Sequence, residues 1–403
     1  MITNLKIRLQ NYYIIIIIVG FLASSIIPSI FGIGINLNII YRACIVFFSS
    51  MIILINLSSL SLKKQFLLLL LFLLLYLLSV VFDLYINQIR LWPTRTPLYY
   101  LQYLIGAVIF PVLALVSIDY KVINFDFILN GIYIILFILL LLSINLRIES
   151  SSGGRDVGDL DIGVLLYGQY GATMCILSMY QFFTTSRVLT KLLYSIGYLV
   201  GFLAIFISAS RSPLLALFLV TIVFVLTRTG KTKALFFISF LGLLIYFFFI
   251  DILSFIGTYI NSNFLDRIIY ALEGVSTGRQ SLFQTAFMEF VDAPFLGSAF
   301  LIQTGNAVGI YPHNLIIEAF MALGFIGGTL FLIIILKNIK KVFIILNAKS
   351  DKYVWIGLLY LQFLIFGMFS GSLYTSDFFW VYTVLIVGVS IKKDNLKISK
   401  NEN

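Results

Sequence analysis

Charge is scarce in this chain. Of its 403 residues only 11% are charged, against about a quarter in an average soluble domain. That shortage excludes a water-soluble globular protein. It also excludes disorder, which needs high charge and low hydrophobicity. Cysteine occurs twice, at Cys44 and Cys175, each inside an apolar run. Two such residues make neither a metal-ligand spacing nor a disulfide framework, and are expected to be small buried hydrophobes. The chain has no P-loop, no Rossmann glycine pattern, no CxxC and no HExxH, so a nucleotide-driven reaction lacks local support. Strict alternation of apolar and polar residues is missing too, which argues against a β-barrel.

What is abundant is apolar sequence, 61% of the chain. A bilayer-crossing helix takes about 20 apolar residues. Runs of that kind fall at 12–31, 39–60, 66–82, 98–118, 126–146, 161–184, 189–209, 212–227, 233–252, 312–336, 353–371 and 374–390. The expected fold is therefore all-α, a single polytopic membrane domain over 1–403 with about twelve transmembrane helices. Lys6 and Arg8 followed by an apolar run, with no convincing cleavage site, read as an uncleaved first span.

With the N-terminus placed inside, nineteen of the 27 basic residues fall on the inner side. This obeys the positive-inside rule and supports an even span count with both termini cytoplasmic. The net charge of +10 thus reads as loop bias, not as nucleic-acid binding. All sixteen lysines are inner, and the eight outer basic residues are all arginine: Arg42, Arg90, Arg95, Arg147, Arg155, Arg211, Arg267 and Arg279. Guanidinium grips phosphate or carboxylate at two points, where ammonium is a point charge. The outer face looks equipped for an anion; structural pairs with Asp83, Glu149, Asp156, Asp159 and Asp161 are the alternative.

Two outer loops are long. Residues 147–160 are polar and rich in glycine and serine. Residues 253–311 form a larger outer loop, between spans nine and ten, with structure of its own. Thr277-Gly278-Arg279-Gln280 has capping-box form, and Leu282, Phe283, Ala286, Phe287 and Phe290 follow at helical spacing before Pro294. The pattern predicts an amphipathic helix over 278–291, lying on the membrane surface or packed on the protein itself.

His313 is the sole histidine, in Tyr311-Pro312-His313-Asn314 at the outer start of span ten. Pro312 suits a first helical turn, and a neutral imidazole can accept a proton at working pH. Glu318 lies five residues on, where a carboxyl inside a span needs a partner; it could orient His313 or pair with an outer arginine. Arg211 precedes Ser212-Pro213, which reads as N-cap and first turn of span eight. Two helix N-termini then point outward, and together with Arg211 and Arg279 they would favour a diphosphate. The outer carboxylates Asp83, Asp251, Glu289, Asp292 and Asp377 make no metal-binding spacing.

Three segments, in this order, resemble the O-antigen polymerase and O-antigen ligase superfamily. They are Ser208-Ala209-Ser210-Arg211-Ser212; Thr277-Gly278-Arg279 with its helix and Ala293-Pro294-Phe295-Leu296-Gly297; and Pro312-His313-Asn314, Glu318 and Gly324-Phe325-Ile326-Gly327. The resemblance covers about 160–330 by motif. It implies a metal-independent, inverting transferase of GT-C type with no cofactor, acting on undecaprenyl-diphosphate-linked repeat units at the periplasmic face of the bacterial cytoplasmic membrane. A chain-length regulator and a flippase are the implied partners. By that resemblance His313 is the general base, Glu318 its orienting group, and Arg211 and Arg279 hold the diphosphate. Arg90, Arg95, Arg155 and Asn314 are further candidates for glycan or phosphate contact. Repeat-unit polymerisation is the reading taken; ligation to lipid A-core and flipping of the lipid-linked sugars are the alternatives.

Overall fold

The computed structural model describes residues 2–31, 37–57, 64–149, 163–228, 278–348 and 352–390. In chain order the helices are α1 (Ile2–Phe31), α2 (Leu37–Asn56), α3 (Leu67–Tyr85) and α4 (Pro97–Ser117), whose middle, Gln102–Ile109, is π-helical. Next come α5 (Phe125–Glu149), α6 (Val164–Thr184), α7 (Val188–Ile207) and α8 (Arg211–Arg228). The last four are α9 (Arg279–Asp292), α10 (Leu315–Leu346), α11 (Val354–Ser370) and α12 (Asp377–Gly388). No strand occurs among the described residues. Eight helices, α1 to α5, α7, α8 and α10, are long and apolar enough to cross a membrane. Helices α6, α11 and α12 coincide with three more of the expected spans. The ninth expected span, 233–252, lies outside the described residues, as do the loop 150–162 and the first part of the long loop.

These helices are apolar all round because two solvents act on them, protein on one face and lipid on the other. On α3, Leu69, Phe72, Leu73, Tyr76, Val80 and Leu84 are buried at three- and four-residue spacing. Leu67, Leu71, Leu74, Leu78 and Phe82 on the same helix point outward. Within lipid, association rests on close packing rather than on hydrophobic transfer, so small residues mark tight crossings. Gly171 of α6 and Gly201 of α7 meet backbone to backbone; a methyl on either would run into the other's carbonyl oxygen. One sequence expectation is corrected here: Cys175 is buried, but Cys44 is exposed on α2.

Basic residues separate to the two ends of the bundle. At one end Lys6 Nζ donates to the Ile55 carbonyl, Lys341 Nζ to the Val387 carbonyl, and Lys352 lies over the Phe125 ring. At the other, Arg42 meets Tyr103, Arg95 meets Tyr374 and Arg279 meets Ser370. The arginine end carries His313 and is the site end.

Helix α9 starts one residue later than the sequence pattern suggests. Its N-cap is Gly278, left-handed at φ 73°, with no side-chain cap, so the capping box is replaced by a glycine turn. Of the two surfaces expected for this helix, packing on the protein is observed. Leu282, Ala286 and Phe290 face α10, with Phe290 stacked edge-on to Phe320 and Phe325 at 5.5 and 5.0 Å. Phe287 and Met288 face out, beside exposed Phe295, Leu296, Phe325 and Ile326.

Two motifs that look separate in the sequence form a single joint. Helix α10 breaks at Gly324 (φ 61°), and the turn through Gly297 (φ 85°) docks into the break. Ser298 N–H donates to the Met321 carbonyl at 2.8 Å and Phe325 N–H to the Pro294 carbonyl at 2.7 Å. A Cβ on Gly324 would collide with the Phe295 carbonyl, and one on Gly297 with the Ala322 backbone. Left-handed backbone costs a non-glycine residue about 1–2 kcal/mol before any collision. Gly324→Ala should therefore lower the apparent melting temperature of the detergent-solubilised protein markedly. Gly297→Ala should do the same, and the double variant should lose less than the sum, because both break one joint.

Candidate active site

The site is built on the end of α11 and the turn that follows it, Ser370-Gly371-Ser372-Leu373-Tyr374. Ser370 is the meeting point. Arg279 Nη2, from the first turn of α9, donates to Ser370 Oγ at 3.3 Å. Ser212 Oγ, from the first turn of α8, lies 3.4 Å from the same oxygen. The Ser370 backbone also acts on the His313 ring, where its polar group favours the protonated imidazole. Arg211, half-buried, is the chain neighbour of Ser212. The three separate sequence motifs thus converge on one serine.

His313 sits at φ 60°, a conformation non-glycine residues rarely adopt and which costs roughly 1–3 kcal/mol. Such strain persists where the surroundings fix it. Here Tyr311 lies against the imidazole with ring centroids 4.2 Å apart, and the next residue is locked. Asn314, not Pro312, begins the helix: its Oδ1 caps Ile316 and Ile317 N–H, and its Nδ2 donates to the Met368 carbonyl at 2.9 Å. Pro312 therefore stands before the helix rather than in its first turn. Both the oxygen and the nitrogen of the Asn314 amide are engaged, which fastens the residue after His313 to α11. Helix α8 differs from expectation by the same kind of step. It starts at Arg211, so Ser212 lies inside the first turn, and the tight turn before it is made by Ala209 at φ 46°.

Burial and the Arg279 charge both lower the His313 pKa, partly offset by the Ser370 backbone. The imidazole is therefore neutral at ordinary pH. Its Nδ1 is buried without a hydrogen-bond partner in the protein. A neutral imidazole with an unpartnered ring nitrogen is chemically able to take a proton.

Glu318 does not touch His313. It is fully buried, and its carboxyl accepts Tyr76 Oη–H at 2.6 Å, Ser372 Oγ–H at 3.0 Å and Leu373 N–H at 3.1 Å. It ties α3, α10 and the turn after α11 together. Its contacts are with these donors and not with the imidazole. The nearby Glu318 carboxyl, after burial itself, pushes the Tyr311 phenol up to about 12.

Arg95 is part of the site and Arg90 is on its rim. Arg95 Nη1 donates to Tyr374 Oη at 3.3 Å, and its guanidinium covers the Tyr99 ring at 4.7 Å. Tyr374 in turn packs on Tyr100, Phe300 and Tyr311. Arg90 is exposed, and its backbone exchanges hydrogen bonds with the Gln303 amide. Arg155 lies outside the described residues. Two of the outer carboxylates are pins for the loop over the site. Asp83 accepts Phe300 N–H at 3.1 Å, while Glu289 accepts Gln303 N–H at 2.7 Å and Thr304 N–H at 2.8 Å.

Ser370, Ser372, Tyr374 and Tyr76 were not among the residues singled out from the sequence. The one signal was a serine-rich break between two apolar runs.

No curated protein matches the chain. The family comparison falls where the three motifs lie, from the last part of α7 to the first half of α10. Residues 196–332 match the family model described as O-Antigen ligase, consistent with an integral membrane protein of the O-antigen polymerase and ligase superfamily.

Proposed function

We propose that the protein is a polysaccharide repeat-unit polymerase. It moves a growing glycan from undecaprenyl diphosphate to the terminal sugar of a new lipid-linked repeat unit. The observation that carries this reading is the convergence of Arg279, Ser212 and His313 on Ser370, with a bare imidazole nitrogen beside a cationic cluster.

In this mechanism His313 Nδ1 takes the proton of the acceptor hydroxyl. The freed oxygen attacks the anomeric carbon, and the glycosyl C–O bond to phosphate breaks with inversion. The electron pair leaves on the diphosphate, where Arg279 and Arg211 hold the developing charge. Helix N-termini of α8 and α10 add favourable partial charge on the same side. Residues able to bind a metal need play no part in these steps. In this reading the lysine end faces the cytoplasm and the site end lies at the outer leaflet of the bacterial cytoplasmic membrane, which the excess of basic residues at the lysine end supports.

Purified protein in liposomes separates this reading from its neighbours. Supplied with the undecaprenyl-diphosphate repeat unit of its own gene cluster and no lipid A-core, it should produce a product ladder. Transfer that waits for lipid A-core would make it a ligase. Movement of the lipid between leaflets without any transfer would make it a flippase.

A further inference from the structure

A second polar constellation lies beside Ser370 and takes no part in the chemistry above. A cavity of about 270 Å³ opens between α1, α2, α4, α6 and the ends of α11 and α12. Ser370 and Gly371 form one edge of it. Its other polar lining residues include Arg42, Gln169, Asp377, Thr375 and Ser376, and its walls are largely apolar, among them Phe21, Ile45, Leu166 and Phe366.

Three features mark this space as built to receive something. First, Gln169 is only 6% exposed, and its side-chain amide meets no hydrogen-bonding partner among the described residues while lining the cavity. An empty amide at that depth is costly unless a ligand or water serves it. Second, Arg42 and Asp377 feel each other's charge without closing into an ion pair. Arg42 spends one N–H on Tyr103 Oη at 2.6 Å and lies over that ring at 4.1 Å; Asp377 Oδ1 accepts Phe378 N–H at 2.9 Å. Both side chains line the cavity. Third, Tyr103, Gly106 and Ala107 line it from the π-helical stretch of α4, and π turns inside α-helices recur at functional sites.

The charges select the ligand. A carboxylate repels a phosphate, and a guanidinium repels a cation. One acceptor, one donor group and one amide around a small space suit vicinal hydroxyls, with an aromatic wall for the ring's C–H face. The volume falls just below the roughly 300–1,000 Å³ of drug-sized pockets, so it holds a sugar ring rather than an oligosaccharide. We propose that this cavity is the subsite for one sugar ring of the acceptor, whose hydroxyls are read by Arg42, Asp377 and Gln169, so that the attacking hydroxyl emerges at the Ser370 edge facing His313. The assignment rests on the glycosyl-transfer reading for the identity of its ligand.

The probe is the repeat-unit oligosaccharide as a simple alkyl glycoside, which can accept but lacks the diphosphate needed to donate. Wild-type protein in liposomes should bind it saturably. Gln169→Ala and Asp377→Asn should each weaken binding about tenfold, the loss of one or two hydrogen bonds. Ala107→Trp, which fills the cavity from α4, should abolish it. In transfer assays at saturating donor, Gln169→Ala should raise KM for the glycoside about tenfold with kcat within about threefold. Each variant is first required to elute as a monodisperse species, and Gln169→Ala decides the matter where Asp377→Asn fails to fold. No saturable binding by the wild type, or equal binding by Gln169→Ala and Ala107→Trp, overturns the subsite. Binding by the wild type with no transfer under any condition would overturn the glycosyltransferase reading and leave the subsite standing.

Discussion

Replacing His313 with alanine or asparagine should cut the rate of glycan transfer by about 10²–10⁴, the range that general-base groups contribute. Asparagine is the sharper test. His313 holds a left-handed backbone at φ 60°, and asparagine is among the few residues that tolerate it. It keeps the turn before α10 and a polar side chain, but has no nitrogen that can take a proton. The thermal stability of His313→Asn should therefore stay close to wild type while transfer collapses. Quenched time courses with lipid-linked repeat unit in liposomes measure the rate, and unfolding in detergent measures the stability. A transfer rate within about tenfold of wild type, in stably inserted protein, would remove the base role from His313.

Glu318→Ala should fail in a different way. The alanine leaves Tyr76 Oη, Ser372 Oγ and Leu373 N–H, all served by Glu318 Oε1, without an acceptor in a dry interior. Each orphaned buried donor costs roughly 1–3 kcal/mol, so the loss should be several kcal/mol and is expected to prevent recovery of folded protein. Glutamine should rescue it. All three donors reach Oε1, and Leu373 N–H also reaches Oε2 at 3.1 Å, so the Gln amide oxygen can keep all three while only the second Leu373 contact is lost, and the folded protein should return with transfer within about tenfold of wild type. A Glu318→Gln variant that folds like wild type but loses transfer as severely as His313→Asn would give Glu318 a direct part in the chemistry instead.

Sequence patterns reached the fold further than they reached the site. Runs of about twenty apolar residues locate helices well because lipid imposes both length and composition on them. Helix starts were harder. For α10, α8 and α9 the observed starts differ from the expected ones by one to three residues, since left-handed turns at His313, Ala209 and Gly278 set them and composition does not encode such turns. His313, Arg279 and Arg211 were legible as rare charged or titratable groups at helix ends. Their common partner Ser370 was not, because a serine after an apolar run carries no signal until three other helices are seen to reach it. The contacts of Glu318 were hidden for a related reason. Proximity in sequence suggested His313, but one and a half turns of helix separate them, and the carboxyl faces α3 and the turn after α11. The joint between Gly297 and Gly324 was visible only as two glycine motifs, since backbone contact between them leaves no mark on side-chain pattern.

The most direct test of the His313 centre is the pH dependence of kcat/KM for transfer in liposomes. Burial and the Arg279 charge lower the His313 pKa. A lowered pKa in a cationic acid means that the neutral base persists to lower pH. Transfer should therefore hold its rate down through the ordinary imidazole value of about 6.5 and fall only below it. Arg279→Gln removes one of the two lowering influences, so its residual activity should fall at higher pH than wild type, whereas Arg279→Lys keeps the charge and should leave the limb in place. An acid limb that stays unchanged in the residual activity of His313→Asn would contradict the assignment, because the titrating group would then lie elsewhere.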